Sequence, residues 1–339
     1  MSSGPRAEVS KRVRRQAVSG FALVLLITAG QPAVADPVYE IADLGPVSWP
    51  FWPPINRFTA INDLGQVVGP FDGGDIWENG VLTDLDLPGP LCDINNAGQM
   101  IGNYQVFVEP GIIEQRGYIY QDGVWTDIEI GLVNALNNAG QVVGGQWLWD
   151  GGDVTDLGSL GGGGTWASGL DDAGRVVGWS GVRSGPFRTV HAFLWEDGVM
   201  TDLGTLGGEY SFAYDINNVG QIVGRAANEM GYQDAFFWED GEMIPIEDTV
   251  ANSINDLGQV VGWGFLWEAG TRHWLSDIIP PDNGWSNLIG HDINNPGQIV
   301  GTGVLDGNLH GFLMTLIPEP ASLLLFAVAL AVLARHRRA

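Results

Sequence analysis

One cysteine, Cys92, is present in 339 residues, so no disulfide can form within the chain. Closure of its fold must rest on strand pairing and core packing. Lysine occurs once, at Lys11. The 15 basic residues face 40 acidic ones, a net charge of −25. Without residues 1–35 and 321–339, seven arginines stand against 39 acids, a net of −32. Such charge opposes nucleic-acid binding and favours solubility or cation-rich surroundings. The acids are spread through sequence rich in Val, Ile, Leu and Trp, which excludes a disordered acidic tail. Sustained helical periodicity is absent from 37–317. Also missing are G-x-S-x-G, H-E-x-x-H and a glycine-rich phosphate loop, which weakens the case for an enzyme.

What is present is repetition. One phrase reads AINDLGQVVG (60–69), DINNAGQMIG (93–102), ALNNAGQVVG (135–144), GLDDAGRVVG (169–178), DINNVGQIVG (215–224), SINDLGQVVG (253–262) and DINNPGQIVG (292–301). The seven turn glycines, Gly65 through Gly297, are 33, 42, 34, 46, 38 and 39 residues apart. A period of about 40 residues marks a propeller or solenoid. A second phrase follows each copy, most fully as HAFLWEDGVMTDLGTLGG at 191–208. Each unit parses into four short strands. In 211–246 these are SFAYDIN, QIVG, AFFWE and EMIPI, separated by an NNVG turn, a variable loop and a DG hairpin. Four antiparallel strands repeated seven times predict an all-β, seven-bladed β-propeller. The last unit stops after its third strand, while YEIADLG (39–45) reads as an orphan fourth strand. That strand is expected to complete the final blade and remove the open edge.

Repetition also sorts structure from chemistry, because a catalytic residue normally occurs once. Asp43, Asp84, Asp127, Asp156 and Asp202 share one phase and are expected to bond neighbouring backbone. Trp77, Trp149, Trp195, Trp238 and Trp267 share another and are expected to pack between blades. His191 recurs only as His310. The run from Asp93 through Asn95 and Asn96 to Gly98 resembles the start of a calcium loop, which needs a bidentate glutamate six residues after the glycine. Tyr104, Gln146 and Ala226 occupy that place, which favours an Asn-rich hairpin turn and no built-in metal site. Weak calcium binding by the acidic surface is the remaining cofactor reading.

Both ends read as addresses. Residues 1–35 combine Lys11, Arg12, Arg14 and Arg15 with an apolar FALVLLIT run and the small-x-small pair Ala33 and Ala35. This predicts a secretory signal peptide, recognised by the Sec translocon and cut by signal peptidase before Asp36. At 318–339, Pro318, Glu319 and Pro320 precede an apolar run (321–334) and then Arg335, Arg337 and Arg338. The run suits a short transmembrane helix with a basic cytoplasmic end. As a helix it would span about 21 Å against a hydrocarbon core of about 30 Å.

Two resemblances follow from these motifs. The repeats over about 39–316 resemble the HAF-repeat family of extracellular proteins, and 191–208 carries its motif almost complete. That family implies export and no established chemistry. The order of Pro-Glu-Pro, apolar run and basic cluster resembles a PEP-CTERM sorting signal. The resemblance implies a Gram-negative exporter, transient inner-membrane anchoring by 321–334, and processing near the PEP motif by an exosortase. It also implies a final place at the cell surface or outside it, linked to exopolysaccharide and biofilm material. The domain plan is therefore 1–35 signal peptide, 36–317 propeller and 318–339 sorting signal.

Alternating strand direction sets the short first-to-second and third-to-fourth turns on one face and the variable connections on the other. Variable loops on a rigid scaffold are where binding usually lives. That second face is expected to gather Trp49, Phe51, Trp52, Trp166, Tyr210 and Trp285, with Arg57, Arg116, Arg183, Arg188 and Arg225. Aromatic faces suit sugar rings. The expected function is a non-enzymatic, surface-sorted protein that binds or structures extracellular polysaccharide, acidic polysaccharide included. The alternative is a propeller-based glycan hydrolase or lyase, which would need a paired acid and base; Glu109, Glu114 and Glu229 lie in variable segments without an evident mate.

Overall fold

The computed structural model describes residues 37–47, 59–69, 74–109, 111–184 and 187–318. The signal segment 1–35, Trp49, Phe51, Trp52, Arg57, Glu319, Pro320 and everything beyond lie outside these residues, as does the side chain of Arg188. Seven four-stranded antiparallel sheets form a β-propeller. Blades 1 to 6 span 60–84, 91–128, 135–156, 165–204, 207–246 and 251–274, each with its strands in sequence order. Blade 7 takes three strands from 285–316 and its fourth from Tyr39–Pro46. The N-terminal strand pairs from Tyr39 opposite Leu316 to Pro46 opposite His310. The orphan strand thus closes the ring as expected.

The hairpins follow from the turn residues. Asp240 and Gly241 between the outer strands of blade 5 have φ of 51° and 89°, the left-handed pair of a type I′ turn. A second glycine has a different cause. A Cβ on Gly224, in the second strand of blade 5, would lie 2.0 Å from the Phe212 carbonyl oxygen. The V-V-G ending of the repeat is therefore dictated by backbone approach.

Seven apolar clusters sit between neighbouring blades. Trp238 and Met243 of blade 5 pack with Val177 and Ala192 of blade 4. Trp267 of blade 6 packs with Val223 and Phe237 of blade 5. At the closure, Leu44, Val300 and Leu313 of blade 7 meet Ile61 and Val67 of blade 1, with Trp77 against them. Tyr120 and Met314 fill the tryptophan place in blades 2 and 7. Each fully buried Val, Leu or Phe of these clusters contributes roughly 1.5–3 kcal/mol, and a cluster holds only while both blades are present.

Several segments expected as loops are paired strand. NYQVFVEPGIIEQRG belongs to a hairpin of Met100–Glu109 and Ile112–Gln121 that runs past the rest of its blade. Arg183, Arg188 and Arg225 also lie in strands, and Trp166, Tyr210 and Trp285 lie in first strands rather than connections. β-branched and aromatic residues there extend the pleat beyond the four-stranded region. A second feature not foreseen is a bulge in the first strand. Register shifts at Cys92, Ser168, Tyr214, Asn252 and His291 skip one residue in five blades.

No helix occurs among the described residues, and none there is long and apolar enough to cross a membrane. The short helix expected at 321–334 lies outside them.

Candidate functional site

The two faces of the ring differ in kind. On the face of the first-to-second turns, the N-N-x-G phrase bonds each blade to the next. Asn62 Nδ2 donates to Asn95 O (3.0 Å), Asn95 to Asn137 O (2.9 Å) and Asn137 to Asp171 O (2.9 Å). Asn217, Asn255 and Asn294 continue the series, the last reaching Asn62 O at 2.9 Å to close the circle. In blade 4 the equivalent residue is Asp171, which cannot donate. Arg175 grips Asp171 at 2.5 Å and donates to Asn218 O in its place. The following residue makes a second circle. The backbone N–H groups of Asp63, Asn96, Asn138, Asp172, Asn218, Asp256 and Asn295 each donate to the side-chain oxygen of the next member, at 2.8–2.9 Å. No two aspartates are neighbours in this circle, so like charges are kept apart by amides. Inside it lies an axial cavity of about 150 Å³, lined by these residues and by Ile61 and its equivalents.

The calcium-like wording is thus an inter-blade staple. The Asn95 side-chain oxygen accepts from the N–H groups of Ala97 and Gln99, and its amide also donates to Gln99. The preceding Asp93, buried, accepts from Leu136 N of the next blade at 2.8 Å. Among the described residues no group of three or more His, Cys, Asp or Glu side chains is placed to hold a metal ion.

The recurring aspartates behave as expected in four cases of five. Asp43, Asp84, Asp156 and Asp202 each accept from the backbone N–H two residues on, at 2.8–2.9 Å. That acceptor turn has a left-handed residue at its end: Gly45, Asp86, Gly158 and Gly204 have φ between 54° and 105°. Asp127 is followed two residues later by Glu129, outside that conformation, and instead takes Arg116 (3.0 Å) and Tyr104 (2.9 Å). His191 and His310 turn out to be equivalent. Their Nδ1 atoms lie 2.9 Å from Asp202 and 2.8 Å from Asp43.

On the opposite face the blades diverge. Where the V-V-G glycine meets a carbonyl in or just before the first strand, the residue supplying that carbonyl and the residue after the glycine occupy equivalent places. The pairs are Pro90 and Asn103, Leu132 and Gly145, Trp166 and Trp179, Phe212 and Arg225, Val250 and Trp263, and Ile289 and Thr302 in blades 2 to 7. Blades 4 to 6 are the aromatic ones. Trp166 and Trp179 stack, with centroids 6.3 Å apart and planes 12° apart. Trp179 meets Phe212 edge-on at 5.8 Å, and Tyr210 lies 5.8 Å from Phe212. The Arg225 guanidinium sits 4.7 Å over the Phe212 ring. Trp263, in the equivalent place of blade 6, is 58% exposed.

Of the residues expected to form a binding face, Trp166 and Tyr210 are drawn into one row through Trp179 and Phe212. Trp285 meets Phe312 and His310 of its own blade. Arg116 is held by Glu114 and Asp127, which keep its guanidinium charged. Arg183 is exposed and has no ion pair among the described residues. Trp179, Phe212 and Trp263 were not foreseen. Their signal was available as a departure from the repeat at one register.

The two described chain ends lie together on the amide-ring face, where Ile317 N donates to Val38 O at 2.8 Å. The aromatic row therefore opens on the face opposite the described chain ends at Val38 and Ile317. Residues 316–338 match the PEP-CTERM protein-sorting motif. No curated protein matches the chain. Among solved structures it is similar to the β-propeller domain of the Trilobed protease from Pyrococcus furiosus, described as having an open velcro topology. That likeness has 12% identity and a TM-score of 0.49, over 83% of this chain and 98% of that one. It is also similar to the Pyrococcus horikoshii acylaminoacyl peptidase, at 13% identity and a TM-score of 0.40, over 65% of this chain and 44% of that one. The C-terminal motif implies export with membrane-associated sorting in a Gram-negative bacterium, and processing by an exosortase-type enzyme.

Proposed function

We propose that the protein is a non-enzymatic propeller, sorted to the cell surface, that binds extracellular polysaccharide through the face of Trp166, Trp179, Tyr210 and Phe212. The observation that carries this reading is the aromatic row itself. It breaks the seven-fold repeat in adjacent blades, it is half-buried, and it lies on the face opposite the described chain ends. Stacked and tilted rings offer apolar faces with polar rims, the chemistry that accepts a sugar ring. The wording of 191–208 fits an exported repeat protein of the HAF type. A tether at the C-terminus would present the row outward, towards matrix material.

The test is a glycan-array assay on the propeller 36–317, which contains both closing strands, with and without calcium. Trp166→Ala/Trp179→Ala is assayed beside it after its thermal unfolding is shown to match the parent. Binding by the parent and its loss in the variant are expected. Absence of glycan binding under both conditions would overturn the reading. Release of reducing ends in the same samples would move it to a glycan hydrolase or lyase.

A further inference from the structure

Arg225 has no carboxylate partner among the described residues, in a chain with 40 acids. Of the other described arginines two are paired with carboxylates, while Arg183 is exposed and has no ion pair among the described residues. Arg116 has Glu114 and Asp127, and Arg175 has Asp171. Arg272 donates to the Glu247 carbonyl and lies over Trp274. Arg225 instead spends one Nη1 donor on Gln233 Oε1 (2.9 Å), while its buried Nε finds no acceptor. Its Nη2 has no acceptor among the described residues. The ring centroids of Phe212 and Tyr214 lie 4.7 and 5.9 Å from the guanidinium carbon, so the group rests against aromatic surface. A cation so placed is pre-oriented, partly desolvated and short of acceptors. Those conditions strengthen a charge-assisted, two-pronged bond to a carboxylate brought from outside.

The neighbours decide what carries that carboxylate. Trp179 stands beside Phe212 and stacks on Trp166, so a flat aromatic surface lies one ring away from the guanidinium. We infer that the ligand is an acidic glycan. The uronate ring lies on Trp179, and its carboxylate is held by Arg225. This rests on the glycan-binding reading and adds the charge class of the sugar and the residue that selects it. A protein carrying net negative charge repels acidic polymers at long range. Selection by one oriented arginine is therefore a short-range effect and is expected to survive moderate salt.

The experiment uses the full chain in detergent and isothermal titration. The probes are hexauronates of galacturonic, mannuronic and guluronic acid, and the same hexasaccharides with each carboxylate reduced to an alcohol. Expected is binding of at least one hexauronate ten-fold or more above its reduced form. Arg225→Gln should lower hexauronate affinity to that of the reduced form and leave the reduced form unchanged. Arg225→Lys, which keeps the charge without the fork, should retain part of the preference. Equal binding of acidic and reduced forms by the parent, or an unchanged preference in Arg225→Gln, would overturn the assignment and leave the glycan reading standing. If no hexasaccharide of either form binds, this assignment fails, and the glycan array alone decides the wider glycan reading. Should Arg225→Gln fold poorly, the comparison of acidic and reduced probes on the parent and on Arg225→Lys decides the matter.

Discussion

The two ends of the propeller axis obey different rules. At the amide-ring end, seven blades place Asn or Asp at the same two positions and repeat the same bonds around the circle, with one substitution that Arg175 repairs. At the other end, the register that places Trp166 and Trp179 in blade 4 places Pro90 and Asn103 in blade 2 and Ile289 and Thr302 in blade 7. The first end is where each blade must grip the next, so every unit is under the same constraint. The second end bears no such duty, and its side chains are free to differ. In a repeat fold, sameness marks structure and local departure marks the place to look for a ligand.

The largest perturbation is to the closure on which both ends depend. Removing 37–46 uncovers Phe312 and Met314 and breaks the join between blades 7 and 1. The loss should be on the order of the whole stability of a domain, about 5–15 kcal/mol. Size-exclusion chromatography and urea unfolding should show an aggregated or non-cooperative species; a monomeric protein with an unchanged midpoint would show that the N-terminal strand is dispensable.

The comparison of the faces is tested more directly by a pair of truncations. Asn255→Ala strands the buried acceptors Asn294 O and Gln259 Oε1 and the donors of Leu257 and Gln259. It should cost roughly 1–3 kcal/mol, the price of unsatisfied buried groups. Trp179→Ala, at a half-exposed site outside the apolar clusters, should cost less than about 1 kcal/mol while glycan binding falls. Equal losses of stability in urea would erase the distinction between the faces.

Alkaline pH offers a smaller, reversible probe of the closing strand. Burial raises the Tyr39 phenol from 10.0 to about 12, with Glu268 adding to the shift. The folded chain thus keeps a proton that the unfolded chain gives up. The stabilisation is complete below pH 10 and is lost as pH rises through about 12. Tyr39→Phe should flatten the fall of the thermal midpoint across that window. Tyr118, raised by burial in the same direction, would account for what persists.

The smallest effect expected is from restoring the repeat. Asp171→Asn with Arg175→Gln rebuilds the consensus amide link and removes the ion pair that replaces it. Stability should change by within about 1 kcal/mol. A loss well beyond that would mean that the arginine clamp does more than fill a gap.

Much of this was legible from the chain. The seven phrases, the type I′ hairpins at D-G, the aromatic at the third-strand position and the orphan strand 39–45 all rest on local pattern, and each is present in the fold. The acceptor role of Asp43, Asp84, Asp156 and Asp202 was legible too, because it spans two residues. Asp127 departs because Glu129 does not take the left-handed conformation. The first-strand bulge was not legible, since it depends on how inner strands crowd the axis. Nor was the extension of 103–109 and 112–116 as paired strand, which turn-rich wording concealed.

By itself the sequence determined the number of blades, the strand count in each, the closure by residues 39–45 and the C-terminal sorting address. These follow from periodicity, turn chemistry and order along the chain, all of which are local or repeated. Only the tertiary structure decided that the D-x-N-N-x-G phrase is a circle of staples between blades. Only it set Trp166, Trp179, Phe212 and Arg225 in one row and left Trp285 and Arg116 with other partners. Those outcomes depend on which blade lies beside which and on the close approach of carbonyls to Gly178 and Gly224. They are contacts between units that no single unit encodes.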